Sequence, residues 1–449
     1  MTRINKSNFK FKRIQVAARH KEVLFLLFIF VFLTAWAIVL PYNGAPDEGM
    51  RYDIPYFIYQ HGTLPHGGDA SIRNPIWGVS YGFYPVLSYM ISAGLMKIAS
   101  FFSESKDVLV IAARMTSVVF TAGTAFFSVK IGKKAFPKSG NWLFVILTTL
   151  LPGTLFIGSY VNCDAMAVFS AAWIVYLWMR GIETNWNYKI CVGLAAAMSI
   201  CLLSYYNAYG FLLCSFLLFT ASMLLFQERK WDWKQLFSKG IFILLLVAVF
   251  AGWWFVRNYI IYDGDILGMR TSNFYGDLYA QPEFKPSLHS TPYKEGMSLP
   301  GMLLRWMPKV FVSFVGVFGY LNVYLPIWMY LFYFLVFSAG ALGCLLKLKE
   351  LFALREDKHW RIKGFFNWTM LLAMIIPNAL NLYHSYCVDY QAQGRYSLPM
   401  LIPFMYFVVF GLLALTQKLM KTEKVQKRVF IVTKLLILGI AGYSFLQIL

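Results

Sequence analysis

Charged residues are few in this 449-residue sequence, and acidic ones are the scarcer kind. There are 21 Asp and Glu against 41 Lys and Arg, and charged residues make up only 14% of the chain. Hydrophobic residues account for 59%, and the mean hydropathy is positive. A soluble domain needs many more charged residues to cover its surface. This composition therefore excludes a soluble protein and indicates a chain that lies mostly within a membrane.

Cysteine is also scarce, and the six residues form no disulfide framework. Four of them lie in apolar segments, which is typical of buried core positions. Cys163 and Cys387 both fall near predicted outer loops, so a bridge between them is conceivable, but we do not expect one.

Sequence motifs of several enzyme classes are absent. The chain has no Walker loop, no His-Glu-x-x-His and no Cys/His cluster with zinc spacing. His61 and His66 could assist a metal together with Asp69 in the first loop. We favour the simpler interpretation that they are ordinary loop histidines.

Apolar runs of about 20 residues recur along the whole chain, and each is long enough to cross the ~30 Å hydrocarbon core of a bilayer. Because only helices satisfy their own backbone at such spacing, we predict an all-α polytopic membrane protein. We expect about eleven crossings, within a range of about ten to thirteen. They are predicted at 23–40, 111–129, 142–157, 165–178, 190–205, 211–226, 241–256, 326–346, 365–382, 397–415 and 429–448.

Basic residues set the predicted orientation. Residues 1–22 form a basic leader, and the apolar segment that follows is too long for a cleavable signal, which favours a signal anchor. Most other Lys and Arg fall in short loops on one side, the positive-inside pattern of a cytoplasmic face. That distribution accounts for the net charge of +20 without nucleic acid. Residues 23–449 then form a single transmembrane domain with its amino terminus inside and its carboxyl terminus outside.

Three outer segments are predicted, at 41–106, 257–325 and 383–396. Residues 83–102 are apolar enough to cross, but a crossing would place the basic run Lys130 to Lys138 outside, so we predict a half-embedded helix. A second half-embedded piece is predicted near 310–324. The remainder of the long second segment shows little periodicity, and loops of that length are usually functional.

The first outer segment begins with Asp47 and Glu48, directly after the first crossing, and Arg51 follows them. Carboxylates at the end of a membrane helix indicate a functional site, particularly where acids are so scarce. The alternative is that the two acids cap a helix beginning near Gly49. Both interpretations can hold together.

Further polar motifs fall on the same predicted face. Asp164 lies in the tight link between two crossings, where it either serves a site or caps the next helix. Arg257 follows a Trp-Trp pair and Arg395 lies in the last outer segment, and either could extend to the membrane interface instead. That alternative is weaker for Arg395, which is flanked by Gln393 and Gly394.

A phosphate-bearing lipid is one substrate that suits carboxylates and arginines on the outer face of a membrane protein. Arginine binds phosphate through two hydrogen bonds and stabilises charge that develops on a leaving phosphate. A carboxylate at the water boundary can accept the proton of an attacking hydroxyl. These residue types alone are weakly specific, because transporters collect them too.

Several short motifs, taken together and in order, resemble the bacterial membrane proteins of the DUF2142 type. That group belongs to the GT-C superfamily of lipid-linked sugar transferases, alongside the protein mannosyltransferases and aminoarabinose transferases. The motifs are Pro46-Asp47-Glu48 with Gly62-Thr63-Leu64-Pro65, Ala112-Ala113-Arg114, Asn162-Cys163-Asp164, Arg257-Asn258, and Gln393-Gly394-Arg395-Tyr396 with Pro399.

The resemblance implies a GT-C-like fold and a role for each matching residue. Asp47, or less favourably Glu48, would be the catalytic base, and Asp164 would help to position the acceptor or a metal. Arg395, and after it Arg257 or Arg114, would hold the lipid phosphate. Because Asp47 and Glu48 are adjacent rather than an Asp-x-Asp, we do not assume the divalent metal that is otherwise possible. The full set of substrate-binding candidates is Arg51, Arg114, Asn162, Asp164, Arg257, Asn258, Gln393, Arg395 and Tyr396.

The resemblance also implies a reaction. A polyprenyl-phosphate-linked sugar would be transferred, with inversion, to a glycan or lipid-linked acceptor on the outer face of a bacterial plasma membrane. Two alternatives stay open: a transporter or flippase for lipid or polysaccharide, and a non-catalytic membrane protein of envelope assembly. The sequence does not distinguish the sugar, the acceptor or the linkage.

Overall fold

Nine helices are long and apolar enough to cross a bilayer in the part of the chain that the structure describes. The structure is a computed structural model that describes residues 6–225, 232–354, 357–420 and 422–449. The nine candidate spans are His20–Val39, Lys106–Ala135, Asp164–Thr184, Tyr206–Leu224, Trp233–Ile261, Ile327–Leu346, Arg361–Cys387, Gly394–Leu419 and Glu423–Leu446.

The helices are numbered in chain order. They are α1 (Lys6–Val39), α2 (Glu48–His61), α3 (Leu87–Ser100), α4 (Lys106–Ala135), α5 (Lys138–Thr149), α6 (Pro152–Ile157), α7 (Asp164–Thr184), α8 (Tyr188–Leu202), α9 (Gly210–Leu225), α10 (Trp233–Ile261), α11 (Met269–Tyr279), α12 (Leu299–Gly316), α13 (Ile327–Leu346), α14 (Leu348–Phe352), α15 (Lys358–Cys387), α16 (Leu401–Leu419) and α17 (Glu423–Leu446). Short 3-10 turns occupy Tyr81–Phe83, Tyr206–Ala208, Pro282–Phe284, Pro286–Leu288 and Gly394–Met400.

The predicted all-α polytopic fold is confirmed, and nine of the eleven predicted crossings correspond to the long apolar helices. The crossing predicted at 142–157 is divided between α5 and α6, because Pro152 cannot continue the helix and disfavours helical backbone at Leu151. The crossing predicted at 190–205 corresponds to α8, whose 15 residues extend about 22 Å.

The first outer segment folds into α2, α3 and the 3-10 turn at Tyr81–Phe83. With 14 residues, α3 is about 21 Å long, too short to cross the hydrocarbon core, as its charge context predicts. It buries Tyr89 and Met96 against α2 and α4.

The second outer segment is more ordered than its sequence predicts. It contains α11 and α12, followed by a hairpin of β1 (Val317–Phe318) and β2 (Val323–Tyr324), in which Val317 pairs with Tyr324. The predicted half-embedded piece at 310–324 is therefore the end of a helix and a hairpin. The missed signal is the Ser298 cap, whose hydroxyl accepts from the backbone N–H of Gly301 at 3.3 Å.

Close helix packing forms the centre of the protein. Gly340 and Gly343 of α13 face Gly411 of α16 so closely that a side chain on Gly343 or Gly411 would collide with backbone atoms of the opposite helix. The turn Gly394–Met400 lies inside this core, packed against α7, α12 and α15. This packing buries Arg395, which is only 9% exposed.

Candidate active site

A cavity of about 520 Å³ lies where the three predicted outer segments meet, and its volume is within the range typical of small-molecule sites. Its lining includes Pro46, Asp47, Trp77, Tyr81, Tyr84, Tyr205, Asn207, Phe284, His289, Tyr320, Asn381, His384, Asp389, Gln391, Gln393, Arg395 and Tyr396. Tyrosines and amides dominate this surface, and its ionic groups are few.

Asp47 and Arg395 form an ion pair on the wall of this cavity. Nη2 of Arg395 lies 2.7 Å from Oδ2 of Asp47, and the side chains are 9% and 31% exposed, respectively. The Tyr81 hydroxyl donates to the same carboxylate oxygen at 3.0 Å. Asp47 is thus held by two donors while part of its carboxylate faces the cavity.

Asp47 occupies the N-cap position of α2, but its side chain forms no capping hydrogen bond. Its backbone is left-handed, with φ 63° and ψ 9°, a conformation that Asp and Asn tolerate better than most residues. The side chain is turned towards Arg395 instead. Capping alone therefore does not explain this acid.

The electrostatic environment keeps Asp47 ionised. Burial raises the pKa of the carboxyl, but the positive charges of Arg395 and Arg51 lower it more, so the pKa lies below its ordinary value. At neutral pH Asp47 is a carboxylate that can accept a proton.

Arg51 and Asp164 form a second, fully buried ion pair behind Asp47, with Nη1 of Arg51 3.0 Å from Oδ2 of Asp164. The Arg51 guanidinium also lies over the ring of Tyr81, 4.5 Å from its centroid. Each of these side chains thus contacts the next, in the order Asp164, Arg51, Tyr81 and Asp47. We infer that this row of contacts orients the Asp47 carboxylate.

Of these four residues, Tyr81 is the one that the sequence does not predict. The only signal was the aromatic composition of the first outer segment, since nothing in the local pattern marks Tyr81 above its neighbours Phe83 and Tyr84.

Glu48 and Arg114 are not among the residues that line the cavity. Both are buried, and Glu48 receives two hydrogen bonds from the guanidinium, at 2.7 and 2.8 Å. Arg114 also donates to the carbonyl oxygens of Ala37 and Pro41, at 2.8 and 2.9 Å. Every donor of Arg114 is thus engaged, either by Glu48 at the start of α2 or by carbonyl oxygens at the end of α1.

Three other candidates form hydrogen bonds to backbone groups and do not line the cavity. Asn162 accepts from the backbone N–H of Ala165 at 2.9 Å and caps α7. Arg257 donates to the Pro65 carbonyl at 2.7 Å, and Asn258 donates to the Ile266 carbonyl at 3.1 Å. Arg257 therefore fastens the first outer segment to the end of α10.

The last outer segment contributes the remaining cavity candidates. Gln393 donates to Oε1 of Gln391 at 2.6 Å, and Gln391 donates to Asp389 at 2.9 Å. These side chains thus form a row of hydrogen bonds along the cavity wall. The Tyr396 ring stacks against Tyr205, with 6.2 Å between centroids, and its hydroxyl accepts from Arg395 at 2.9 Å.

In the described part of the chain, the acidic, histidine and cysteine side chains do not converge as a protein-held metal centre would require. No group of three or more His, Cys, Asp or Glu side chains converges within the described ranges, and Asp47 and Asp164 are each paired with an arginine. All six cysteines are free, including Cys163 and Cys387.

Fold and site together define a class: a polytopic helical membrane protein with one cavity-lining carboxylate–arginine pair on a polar, tyrosine-rich wall. The family model described as a predicted membrane protein (DUF2142) matches residues 58–405, and the chain belongs to this family. The match begins after Asp47 and Arg51, so Pro46-Asp47-Glu48 lies outside it, whereas Gly62-Thr63-Leu64-Pro65 lies inside. Comparison with the curated proteins finds none that matches.

Solved structures with a similar fold include the oligosaccharyltransferase of Archaeoglobus fulgidus. The apo form is 12% identical with a TM-score of 0.52, covering 95% of this chain and 55% of that one. The complex with Zn and sulfate is 14% identical with a TM-score of 0.54, covering 94% and 52%. ArnT from Cupriavidus metallidurans bound to undecaprenyl phosphate is 12% identical with a TM-score of 0.42, covering 86% and 76%.

These identities concern the fold alone, and the chain spans about half the length of the oligosaccharyltransferase. The resemblance to the DUF2142 group, predicted from the motifs, is confirmed, and the fold is similar to that of the oligosaccharyltransferase.

Proposed function

We propose that this protein is a membrane glycosyltransferase that uses a polyprenyl-phosphate-linked sugar. The acceptor is a hydroxyl of a cell-envelope glycan or of a lipid-linked molecule. The observation that carries the proposal is the Asp47–Arg395 ion pair on the wall of the 520 Å³ cavity. A base and a phosphate-binding cation meet there beside space for a sugar.

Arg395 binds the donor phosphate in this mechanism. The guanidinium is largely buried, and a charge held in such a low-dielectric site stabilises an anion more strongly than in water. Its rigid fork suits two phosphate oxygens. The packed turn Gly394–Met400 holds it in place before the donor arrives.

Asp47 accepts the proton of the attacking hydroxyl. The acceptor oxygen forms a bond to the anomeric carbon as the bond from that carbon to the phosphate oxygen breaks, and the configuration inverts. The electron pair leaves with the polyprenyl phosphate, whose charge Arg395 neutralises. The lowered pKa means that Asp47 is already ionised at neutral pH.

The predicted orientation supports a reaction at the outer face of a bacterial plasma membrane, with the amino terminus in the cytoplasm. Basic residues concentrate in the loops assigned to the inside, whereas the cavity is built from the segments assigned to the outside. The same arrangement suits a donor flipped to the outer leaflet.

Substitution of Asp47 by Asn tests the proposal directly. In a deletion strain, wild type should restore the missing sugar of the envelope glycans, measured by mass spectrometry, whereas Asp47→Asn should not. Loss of a general base lowers rates about 10²- to 10⁴-fold. Asn keeps the shape and tolerates the left-handed backbone, so binding of polyprenyl phosphate to the purified variant should persist.

Asp53→Asn is the matched control, because Asp53 lies on the same helix and does not line the cavity. It should restore the glycan as wild type does. Full restoration by well-expressed Asp47→Asn would refute the role of Asp47 and favour transport or envelope assembly without catalysis.

A further inference from the structure

Arg305 and Lys309 form a pair of cations on α12 that the proposed reaction does not use. They are one helical turn apart, both are exposed, and both lie over the ring of Tyr390, at 4.5 and 5.1 Å from its centroid. No carboxylate within the described ranges lies at ion-pairing distance from either. Like charges at this spacing repel each other, so an anion would stabilise the pair.

The pair lies beside an exposed apolar surface. Leu304 and Met307 of α12 are 79% and 58% exposed. One turn further along, Phe311 contacts Phe334 and Phe337 of the spanning helix α13, with centroids 6.0 and 6.3 Å apart. The cations therefore lie within two helical turns of a residue that contacts a candidate membrane span, as expected of headgroup-binding cations on an interfacial helix.

The pair is separate from the cavity. Asp389, Gln391 and Gln393 line the cavity, whereas Tyr390 packs on the other side with Met302 and Trp306 of α12. The Tyr390 hydroxyl is buried without a hydrogen-bond partner. Residues 389–393 thus form a wall with the transfer site on one side and the two cations on the other.

We propose that Arg305 and Lys309 bind the phosphate of a membrane lipid headgroup. Arginine offers two parallel donors and lysine a mobile point charge, and the Tyr390 ring holds both cations at one place. Leu304 and Met307 lie beside the lipid chains. The shared chemistry is a phosphate ester on a lipid, whether a bulk anionic phospholipid or a polyprenyl phosphate, and it does not depend on transferase activity.

The test uses the full chain in nanodiscs of phosphatidylcholine containing phosphatidylglycerol, with retained lipid counted by native mass spectrometry. Arg305→Gln combined with Lys309→Gln should retain at least fivefold less phosphatidylglycerol than wild type. Lys285→Gln combined with Lys294→Gln removes the same charge from the same outer segment and should retain it normally. Equal losses in both double variants, or no loss in the first, would overturn the site.

A second arm replaces phosphatidylglycerol with polyprenyl phosphate, in the Arg395→Gln background so that the transfer site does not contribute. Loss of retention on neutralising Arg305 and Lys309 there extends the site to the carrier lipid. Loss with phosphatidylglycerol alone confines it to bulk phospholipid. Equal retention of neutral phosphatidylcholine by wild type and variant is required in both arms, and a loss there would overturn the assignment to phosphate.

Discussion

At the residue scale, the site depends on how Arg395 controls Asp47. The lowered pKa of Asp47 arises because two arginines outweigh the effect of burial. Removing the Arg395 charge leaves only Arg51 to oppose the effect of burial, so the pKa of Asp47 rises. The pH at which Asp47 becomes protonated thus depends on its arginine neighbours and not on the carboxyl group alone.

We expect Arg395→Gln to move the acid limb of the pH profile of kcat/KM to higher pH. In the wild type Asp47 stays ionised as pH falls and is protonated only below its ordinary range, so activity persists to low pH. Without the Arg395 charge, protonation occurs earlier. Arg395→Lys should keep the limb in place while weakening donor binding, because lysine lacks the fork. An unmoved limb in Arg395→Gln would contradict the coupling.

Tyr81→Phe should lower kcat without weakening the fold. The change removes the hydrogen bond to Asp47 but keeps the ring beneath Arg51. A hydrogen bond to a charged group contributes about 1.5 kcal/mol or more, equivalent to roughly tenfold in rate. Tyr84→Phe, at another cavity tyrosine, is the control, and equal loss in both would assign the effect to the cavity wall in general.

At the element scale, the buried Glu48–Arg114 pair joins the ends of α1 and α2 to α4. Because Arg114 satisfies carbonyl groups at the end of α1, it stabilises the point where the chain leaves the membrane. Sequence reasoning could mark both residues as unusual but could not separate a structural pair from a catalytic one. Asp47 and Glu48 are adjacent in the chain, yet Asp47 partly faces the cavity whereas Glu48 is buried against Arg114.

Glu48→Ala should therefore destabilise the protein by about 3–5 kcal/mol, since it leaves a buried guanidinium unpaired. The loss of stability is measured by thermal unfolding in detergent, which is monitored through thiol labelling of the buried cysteines. Glu48→Gln combined with Arg114→Met should recover part of the stability. A catalytic role for Glu48 would instead appear as lost turnover with an unchanged melting temperature.

Helices α13 and α16 approach each other very closely at Gly343 and Gly411. Gly411→Ala should lower stability by about 1–3 kcal/mol, because the added methyl group forces two backbones apart. Gly439→Ala on α17 is matched chemically and has open space around it. Its melting temperature should not fall, and an equal fall in both would assign the effect to helix composition.

At the scale of the whole molecule, hydropathy and charge placement are enough to predict the fold class, because bilayer thickness and backbone hydrogen bonding leave few alternatives. The convergence of the outer segments is also predictable, since topology alone places them on one face. The pairing within the site is not. Arg51 is four residues from Asp47, yet Arg395 is its ion-pair partner, and only tertiary packing decides between them.

Asp47 and Arg395 are 348 residues apart in the chain. At synthesis rates of about 5–20 residues per second, roughly 20 to 70 seconds separate their appearance from the ribosome. During that interval the first outer segment has emerged without the cation that completes its site. A nascent chain with only its first seven candidate spans inserted would therefore lack the Asp47–Arg395 pair, and the proposed site is complete only after the turn before α16 has joined the core.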